Sequence, residues 1–495
     1  METTLLTRQD MPTLDTRGVE GALCSSPPLV VDLDGTLVKT DLLVESLLAL
    51  IKQDLRSLFL LPWWLFRGLA YLKRQVSRRV SLDVSVLPYD REFLAYLKAE
   101  RARGRRLVLA TGTDERLARH VNAHLQLFDQ VLASDGISNL VGRRKRDRVT
   151  AAFGEKNFEY AGNARCDLPV WAAARTAILV RPSNSLSRRA AREAHIDRVF
   201  QRREHRLRSY LQALRPHHWL KNLLVFVPLV MAHRFLDAGA LMNACLAFLA
   251  FSLCASTVYL MNDLMDLTAD RRHPRKRQRP LAAGDLSVLT GVASIPGLLA
   301  SSLFIGRFLP GFLLWMLVLY FLLNVAYSLY LKRIVLLDVI VLAGMYTLRL
   351  MAGSAAVGIW PSSWLLAFST FLFLSLALVK RYDELVATHA KYGENLEVRG
   401  YRLEDKAVLA AMGCASGYAA VLFLAIYIAS GTAEIHYTRY QFIWFICPLM
   451  LYWISYIWLT AHRNQMHDDP LVFTLTDRVS RIVISLATLI TILAI

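Results

Sequence analysis

Apolar residues along this chain fall into two regimes that meet just past residue 200. Before that point, short apolar runs at 29–31, 107–110 and 177–180 end in Asp, Thr or Pro and are separated by stretches of helical spacing, the rhythm of parallel β-α units. Sheets of this kind bind ligands at the carboxyl ends of their strands, where this chain places its polar residues. After Trp219 the apolar runs lengthen to about 20 residues, enough to cross a bilayer as helices. We count about nine such spans, at 220–236, 238–262, 286–306, 310–331, 334–357, 362–380, 407–430, 440–461 and 479–495. The pattern predicts a multidomain chain: a disordered tail at 1–25, an α/β Rossmann-like domain at 26–205, and an all-α polytopic membrane domain at 206–495.

Between the first two strands lies a helical insertion, about 41–102, that predicts a cap over the soluble site. It contains the run LFLLPWWLFRGLAYL at 58–72, too short and too broken by Pro62 and Arg67 to favour a span. Its Trp pair suits either a membrane interface or burial against the rest of the cap.

Composition sharpens this picture. The chain has 495 residues, 55% of them hydrophobic, and a net charge of +18. The Lys and Arg residues gather beside the apolar spans and in the Arg-rich hinge at 184–208, which includes Arg188, Arg202 and Arg203. Anionic lipid headgroups and phosphorylated substrates are therefore the expected partners, and nucleic acid is not. Basic loops follow spans 2, 4, 6 and 8, so the positive-inside rule predicts a cytosolic amino-terminal domain in the cytoplasmic membrane and a carboxyl terminus outside. The six cysteines show no C-x-x-C pair and read as reduced packing residues. No charged segment followed by an apolar run opens the chain, which predicts no signal peptide.

Two segments carry chemistry. In Val30-Val31-Asp32-Leu33-Asp34-Gly35-Thr36-Leu37, two carboxylates stand at a strand end. An aspartate nucleophile attacking phosphorus needs a cation nearby and an acid for the leaving oxygen, and Asp32 and Asp34 supply both a nucleophile and an acid. DxDGTL at a strand end resembles the first motif of the haloacid-dehalogenase superfamily. That resemblance, over residues 28–200, implies that Thr111 binds the phosphoryl group and that Lys145 neutralises charge, with Arg143, Arg144 and Arg146 as rivals. It further implies that Asp32, Asp34, Asn163 and Asp167 surround Mg²⁺. The superfamily has Asp where this chain has Asn163, and a neutral amide is the weaker ligand. Active phosphatase and regulatory phosphate-binding domain both remain open.

The second segment begins at the end of span 2: Asn262-Asp263-Leu264-Met265-Asp266, then Asp270, His273, Lys276 and Arg279. On a continuing helix Asn262, Asp266 and Asp270 share a face with Asp263 beside it, as Mg²⁺ bound to a diphosphate requires. NDxxDxxxDxxHPxKxxRPxxxG resembles the first aspartate-rich motif of the UbiA superfamily of intramembrane prenyltransferases, and Tyr327 and Lys332 after span 4 match two further positions. A second acidic motif after span 6 is replaced here by Lys380-Arg381-Tyr382-Asp383-Glu384. With Arg215-Pro216, Trp219-Leu220-Lys221-Asn222 and Asp468-Asp469-Pro470, this version is similar to the decaprenyl-phosphate phosphoribosyltransferase branch.

That branch implies phosphoribosyl diphosphate as donor and a polyprenyl phosphate as acceptor, with Lys221, His273, Lys276, Arg279, Tyr327, Lys332, Arg349, Lys380, Arg381 and Glu384 around the substrates. Arg349 suits either a cavity or a structural pair with Asp338. The competing expectation is a prenyltransferase that joins a polyprenyl diphosphate to an aromatic acceptor, carrying a regulatory soluble domain.

Overall fold

The computed structural model describes residues 26–201, 206–392, 398–435, 437–466 and 469–495; the expected tail at 1–25, the hinge residues Arg202 and Arg203, and Asp468 lie outside the described residues. The chain divides into two compact units, Met1–Glu204 and His205–Ile495.

In the first unit, six parallel strands form one sheet in the order β3-β2-β1-β4-β5-β6. They are β1 (Leu29–Val31), β2 (Leu107–Asp114), β3 (Gln130–Ser134), β4 (Glu159–Gly162), β5 (Ala177–Val180) and β6 (Ile196–Phe200). β1 pairs with β2 on one side and β4 on the other, so the direction of winding reverses beside β1, where the carboxyl ends open a crevice. Successive residues of a strand face opposite layers. Accordingly Leu29 and Val31 pack with Leu107, Leu109, Phe93 and Leu97, while Val30 packs on the other face with Val108, Tyr160 and Trp171.

The cap is smaller than the expected 41–102. Helices Leu42–Gln53, Leu61–Phe66 and Leu69–Arg79 share their own core of Leu50, Trp64, Leu72 and Val76. Helix Arg91–Ala102 instead sends Phe93 and Leu97 into the sheet layer, because its apolar stripe matches that face.

The second unit is helical. Among the described residues, six helices are long and apolar enough to cross a membrane: Ala238–Met265, Val288–Arg307, Leu337–Val357, Ser363–Ala390, Leu403–Ala429 and Tyr440–His462. Three of the nine expected spans fall short of that description. The first, 220–236, is a 3-10 segment, Pro216–Phe226, followed by the short helix Val227–Met231; Pro228 can open a helix but cannot donate within one. Leu313–Leu329 and Arg478–Ala494 have 17 residues each. At 1.5 Å per residue each covers roughly 26 Å.

The 3-10 segment matters because it lies against two long helices. A Cβ on Gly353 would come within 2.1 Å of the Val225 carbonyl oxygen, so only glycine lets the Leu337–Val357 helix approach this closely. Lys221 and Asn222 are thereby buried beside Arg349.

Candidate active sites

The site of the first unit gathers at the ends of β1, β2 and β4. Lys145 donates to Asp32 at 2.7 Å and to the Tyr160 hydroxyl at 2.9 Å. Of the four basic residues at 143–146, only Lys145 is buried: helix Arg143–Phe153 turns it inward with Val149, one turn on. Asp34 is tied differently. It accepts from the Leu42 amide at 2.9 Å, from the Thr113 hydroxyl, and from Thr111 at 3.4 Å. β2 loses its regular register between Ala110 and Asp114, and the irregularity lets both threonines reach Asp34. Gly35 has φ +74°, and a Cβ there would fall 2.1 Å from Asn163 Nδ2, so glycine is required where the β1 and β4 loops meet.

Burial and the neighbouring Asp41 push the Asp34 carboxyl above its ordinary range, outweighing its hydrogen bonds. Burial also raises Asp32, with Lys145 opposing and Asp167 and Asp34 adding to the shift. Lys145 stays charged: burial works against its ammonium, and Asp32 and Asp167 more than offset it. The two carboxyls therefore differ in kind. Asp32 faces a cation, while Asp34 is held by hydroxyl and amide donors.

Asp167, expected beside a metal, is fully buried and engaged by the Tyr160 hydroxyl at 2.8 Å and by the amides of Asn163 and Ala164 at 3.1 and 3.0 Å. It fastens the loop that carries Asn163. Asn163 accepts from the Thr36 hydroxyl at 3.2 Å. Asp32 and the Asn163 amide are hard oxygen donors that fit Mg²⁺, with one charge fewer than a pair of carboxylates. Two residues had no role in the sequence reading. Thr113 stands two places after Thr111 and could have been suspected from that repeat. Lys73, on the cap, donates to the Gly112 carbonyl at 2.6 Å and to Asn139 at 3.0 Å, and nothing in its local sequence distinguishes it.

In the membrane unit, the helix expected to continue through Asp270 breaks. It ends at Met265, Asp266 leaves helical geometry, and Leu267–Arg272 starts afresh. The amides of Asp266 and Asp270 still bond to the Asn262 and Asp266 carbonyls across the break, at 2.9 and 2.8 Å, so these three residues stay one turn apart while Arg279 gathers Asp263 with Asp270. Arg279 bridges Asp263, at 3.1 Å, and Asp270, while Arg215 pairs with Asp263. Both carboxylates are only 3% exposed and are hard oxygen donors of the kind Mg²⁺ takes, here satisfied by guanidinium groups; among the described residues no three His, Cys, Asp or Glu side chains gather closely enough to hold a metal by themselves. Asn262 and Asp266 are half-buried at the same turn. His273 Nδ1 accepts from the Arg275 and Lys276 amides at 3.2 and 3.3 Å and shapes the basic loop, where Lys276 is exposed.

A second group lies along the 3-10 segment that follows Arg215. Lys221 and Lys380 both donate to Asp469 Oδ2, at 2.7 and 2.8 Å. Beneath them Arg349 donates to Asn222 at 2.8 Å and to the Tyr320 hydroxyl at 2.7 Å, with its guanidinium 4.8 Å from the Tyr320 ring. It does not pair with Asp338, the structural partner considered for it. Arg215 and Asp469 are the members that the sequence showed as motifs without a role.

Arg381, expected to hold a phosphate, is completely enclosed. It pairs with Asp338 and Glu384, and lies 3.5 Å from the Tyr327 hydroxyl. Tyr401 donates to Asp338 at 2.7 Å and completes the group. Its charge is satisfied inside the protein, so Arg381 holds helices together. Lys332 occupies the 3-10 turn Leu331–Arg333. Replacing Asp338 by Ala strands a buried guanidinium and should cost about 3 kcal/mol, with Glu384 limiting the loss. Thermal unfolding in nanodiscs measures this; the pair Asp338→Leu with Arg381→Met should recover most of it.

Buried carboxylates and cations among membrane helices mark a functional site inside the membrane unit. Residues 223–476 match the UbiA prenyltransferase family, and the chain belongs to that family. An uncharacterised protein of Sinorhizobium fredii is 36% identical over 457 residues, covering 92% of this chain and 88% of that protein. Nodulation protein NoeC of Azorhizobium caulinodans is 39% identical over 276 residues, 54% of this chain and 87% of that protein. Decaprenyl-phosphate phosphoribosyltransferase of Mycolicibacterium smegmatis is 37% identical over 197 residues, 38% of this chain and 61% of that protein.

Proposed function

We propose that the membrane unit transfers phosphoribose from phosphoribosyl diphosphate to a polyprenyl phosphate, with Mg²⁺, and that the soluble unit is a phosphatase that removes the 5-phosphate this product retains. One observation carries the substrate class. Lys221 and Lys380 share the single carboxylate of Asp469, so two cations meet one anion beside helix Ser363–Ala390, where an enzyme binding prenyl diphosphate through a second metal has carboxylates. The similarity to decaprenyl-phosphate phosphoribosyltransferase supports the same reading.

In the transfer step, a lipid phosphate oxygen attacks the anomeric carbon of the ribose. The new carbon–oxygen bond forms as the bond to the diphosphate breaks, and the diphosphate leaves with the electron pair. Asn262, Asp263, Asp266 and Asp270 would hold Mg²⁺, which when bound offsets the charge of the departing diphosphate. Arg279, Arg215 and Lys276 hold its oxygens, and Lys221 and Lys380 hold the lipid phosphate.

In the phosphatase step, Asp32 attacks phosphorus while Asp34 gives its proton to the leaving 5-oxygen. Water then cleaves the aspartyl-phosphate, returning a proton to Asp34. Thr111 and Lys145 orient and balance the phosphoryl group, and Asp32 with Asn163 would hold the Mg²⁺ of this site. Fusion of the two units places consecutive reactions on one chain, and the Sinorhizobium relative matches across both.

Purified protein with Mg²⁺ should yield product from phosphoribosyl diphosphate plus polyprenyl phosphate, and none from polyprenyl diphosphate plus aromatic acids. Product only from the aromatic panel overturns the substrate class. Single-cysteine labelling tests the orientation: a cysteine placed next to Lys276 should resist an impermeant reagent in intact cells, and one at the carboxyl terminus should react.

A further inference from the structure

We propose that the tip of the cap inserts into the bilayer and brings the phosphatase site to a phosphomonoester carried on a membrane lipid. This rests on the phosphatase reading above. The tip exposes large apolar side chains that a soluble surface would bury: Phe59 is 84% exposed, Phe66 86% and Trp63 57%, with Leu58 and Leu65 beside them. They are contiguous in sequence across Leu55–Leu60 and Leu61–Phe66, whereas Trp64 on the same turn points inward to the cap core. A patch of this kind marks an interaction surface.

Charge selects a lipid surface as the occupant. From residue 51 to residue 80 the chain carries seven basic residues and one acidic residue, Asp54. Arg67 lies 5.4 Å from the Trp63 ring centroid, at the border between the apolar tip and the polar remainder. Aromatic rings flanked by arginine are the composition of a segment seated at the headgroup level of an anionic membrane. A membrane domain on the same polypeptide tethers this unit to a bilayer.

The tip is also mechanically joined to the site. Helix Leu69–Arg79 leaves the tip at Gly68 and runs to the strand ends. There Lys73 bonds to Gly112 and Asn139, Arg74 to the Asp135 carbonyl at 2.8 Å, and Ser77 to Asp114 at 2.7 Å. Seating the tip in the headgroup region therefore sets the height of the catalytic crevice. A phosphorylated sugar on a lipid can then enter while its hydrocarbon chain stays in the membrane.

Full-length protein carrying photoreactive benzoylphenylalanine at position 59 or 66, reconstituted in phosphatidylethanolamine–phosphatidylglycerol vesicles, should form lipid adducts on irradiation. The same group at exposed Arg119 should not. Adducts only to protein, whether this chain or a second copy, or equal lipid labelling from position 119, would overturn insertion. In a second arm, Phe59→Ser with Phe66→Ser should slow hydrolysis of a polyprenyl-linked phosphomonoester in vesicles at least tenfold and leave p-nitrophenyl phosphate hydrolysis unchanged. Equal loss on both substrates, or on neither, would refute delivery to a lipid substrate. If wild type hydrolyses neither compound the phosphatase reading fails, and the adduct pattern still decides whether the tip inserts.

Discussion

Asp32→Asn should abolish phosphomonoester hydrolysis, by roughly a thousandfold or more, and leave phosphoribosyl transfer to lipid intact. The substitution keeps the shape of the side chain and its place opposite Lys145 while removing the negative oxygen that attacks phosphorus. The accumulating product should carry the 5-phosphate, which mass spectrometry of the lipid fraction detects. In the wild type, acid should slow turnover by protonating Asp32, whose carboxyl burial has raised. Alkali should slow it by taking the proton that burial helps Asp34 retain and that the leaving oxygen needs, so activity falls on both the acid and the alkaline side. Should wild type hydrolyse no phosphomonoester with Mg²⁺ present, the neutral Asn163 has left a regulatory domain that only binds phosphorylated ligands.

Asp263→Asn should do the reverse, lowering lipid transfer by about a hundredfold or more while phosphatase turnover persists. Asp263 is the carboxylate on which both Arg215 and Arg279 converge, so its loss removes the proposed metal ligand and also frees two cations that hold the segment before span 1 against the basic loop. Titrating Mg²⁺ separates the two effects. A metal ligand lost raises the Mg²⁺ needed for half-maximal transfer, whereas a purely structural loss lowers the rate at every concentration. Loss of both activities with either substitution would mean that the sites act as one.

Much of this was legible because it is local. A strand that ends in DxDGTL places two carboxylates and a Gly-Thr turn within one turn of each other, and a run of about 20 apolar residues announces a long apolar helix by its length. The aspartate-rich motif at 262–279 lies in one continuous stretch for the same reason. Periodicity could not settle the number of spans, because the first expected one forms a 3-10 segment and a five-residue helix instead of one long α-helix.

Choices between equivalent residues were decided only in three dimensions. Four consecutive basic residues at 143–146 are interchangeable as letters; the phase of their helix against the sheet turned Lys145 alone toward Asp32. Lys380 and Arg381 are adjacent and both cationic, yet one reaches Asp469 across 89 positions of chain while the other is enclosed by Asp338 and Glu384. Lys73 reaches the ends of the sheet strands from a helix 39 residues before the Gly112 it touches. Composition and spacing register which charges a segment carries and roughly which face they share. Where a buried charge finds its partner depends on how distant segments pack, because an unpaired charge in the interior is so costly that the fold must bring it a counter-ion from wherever the chain can supply one.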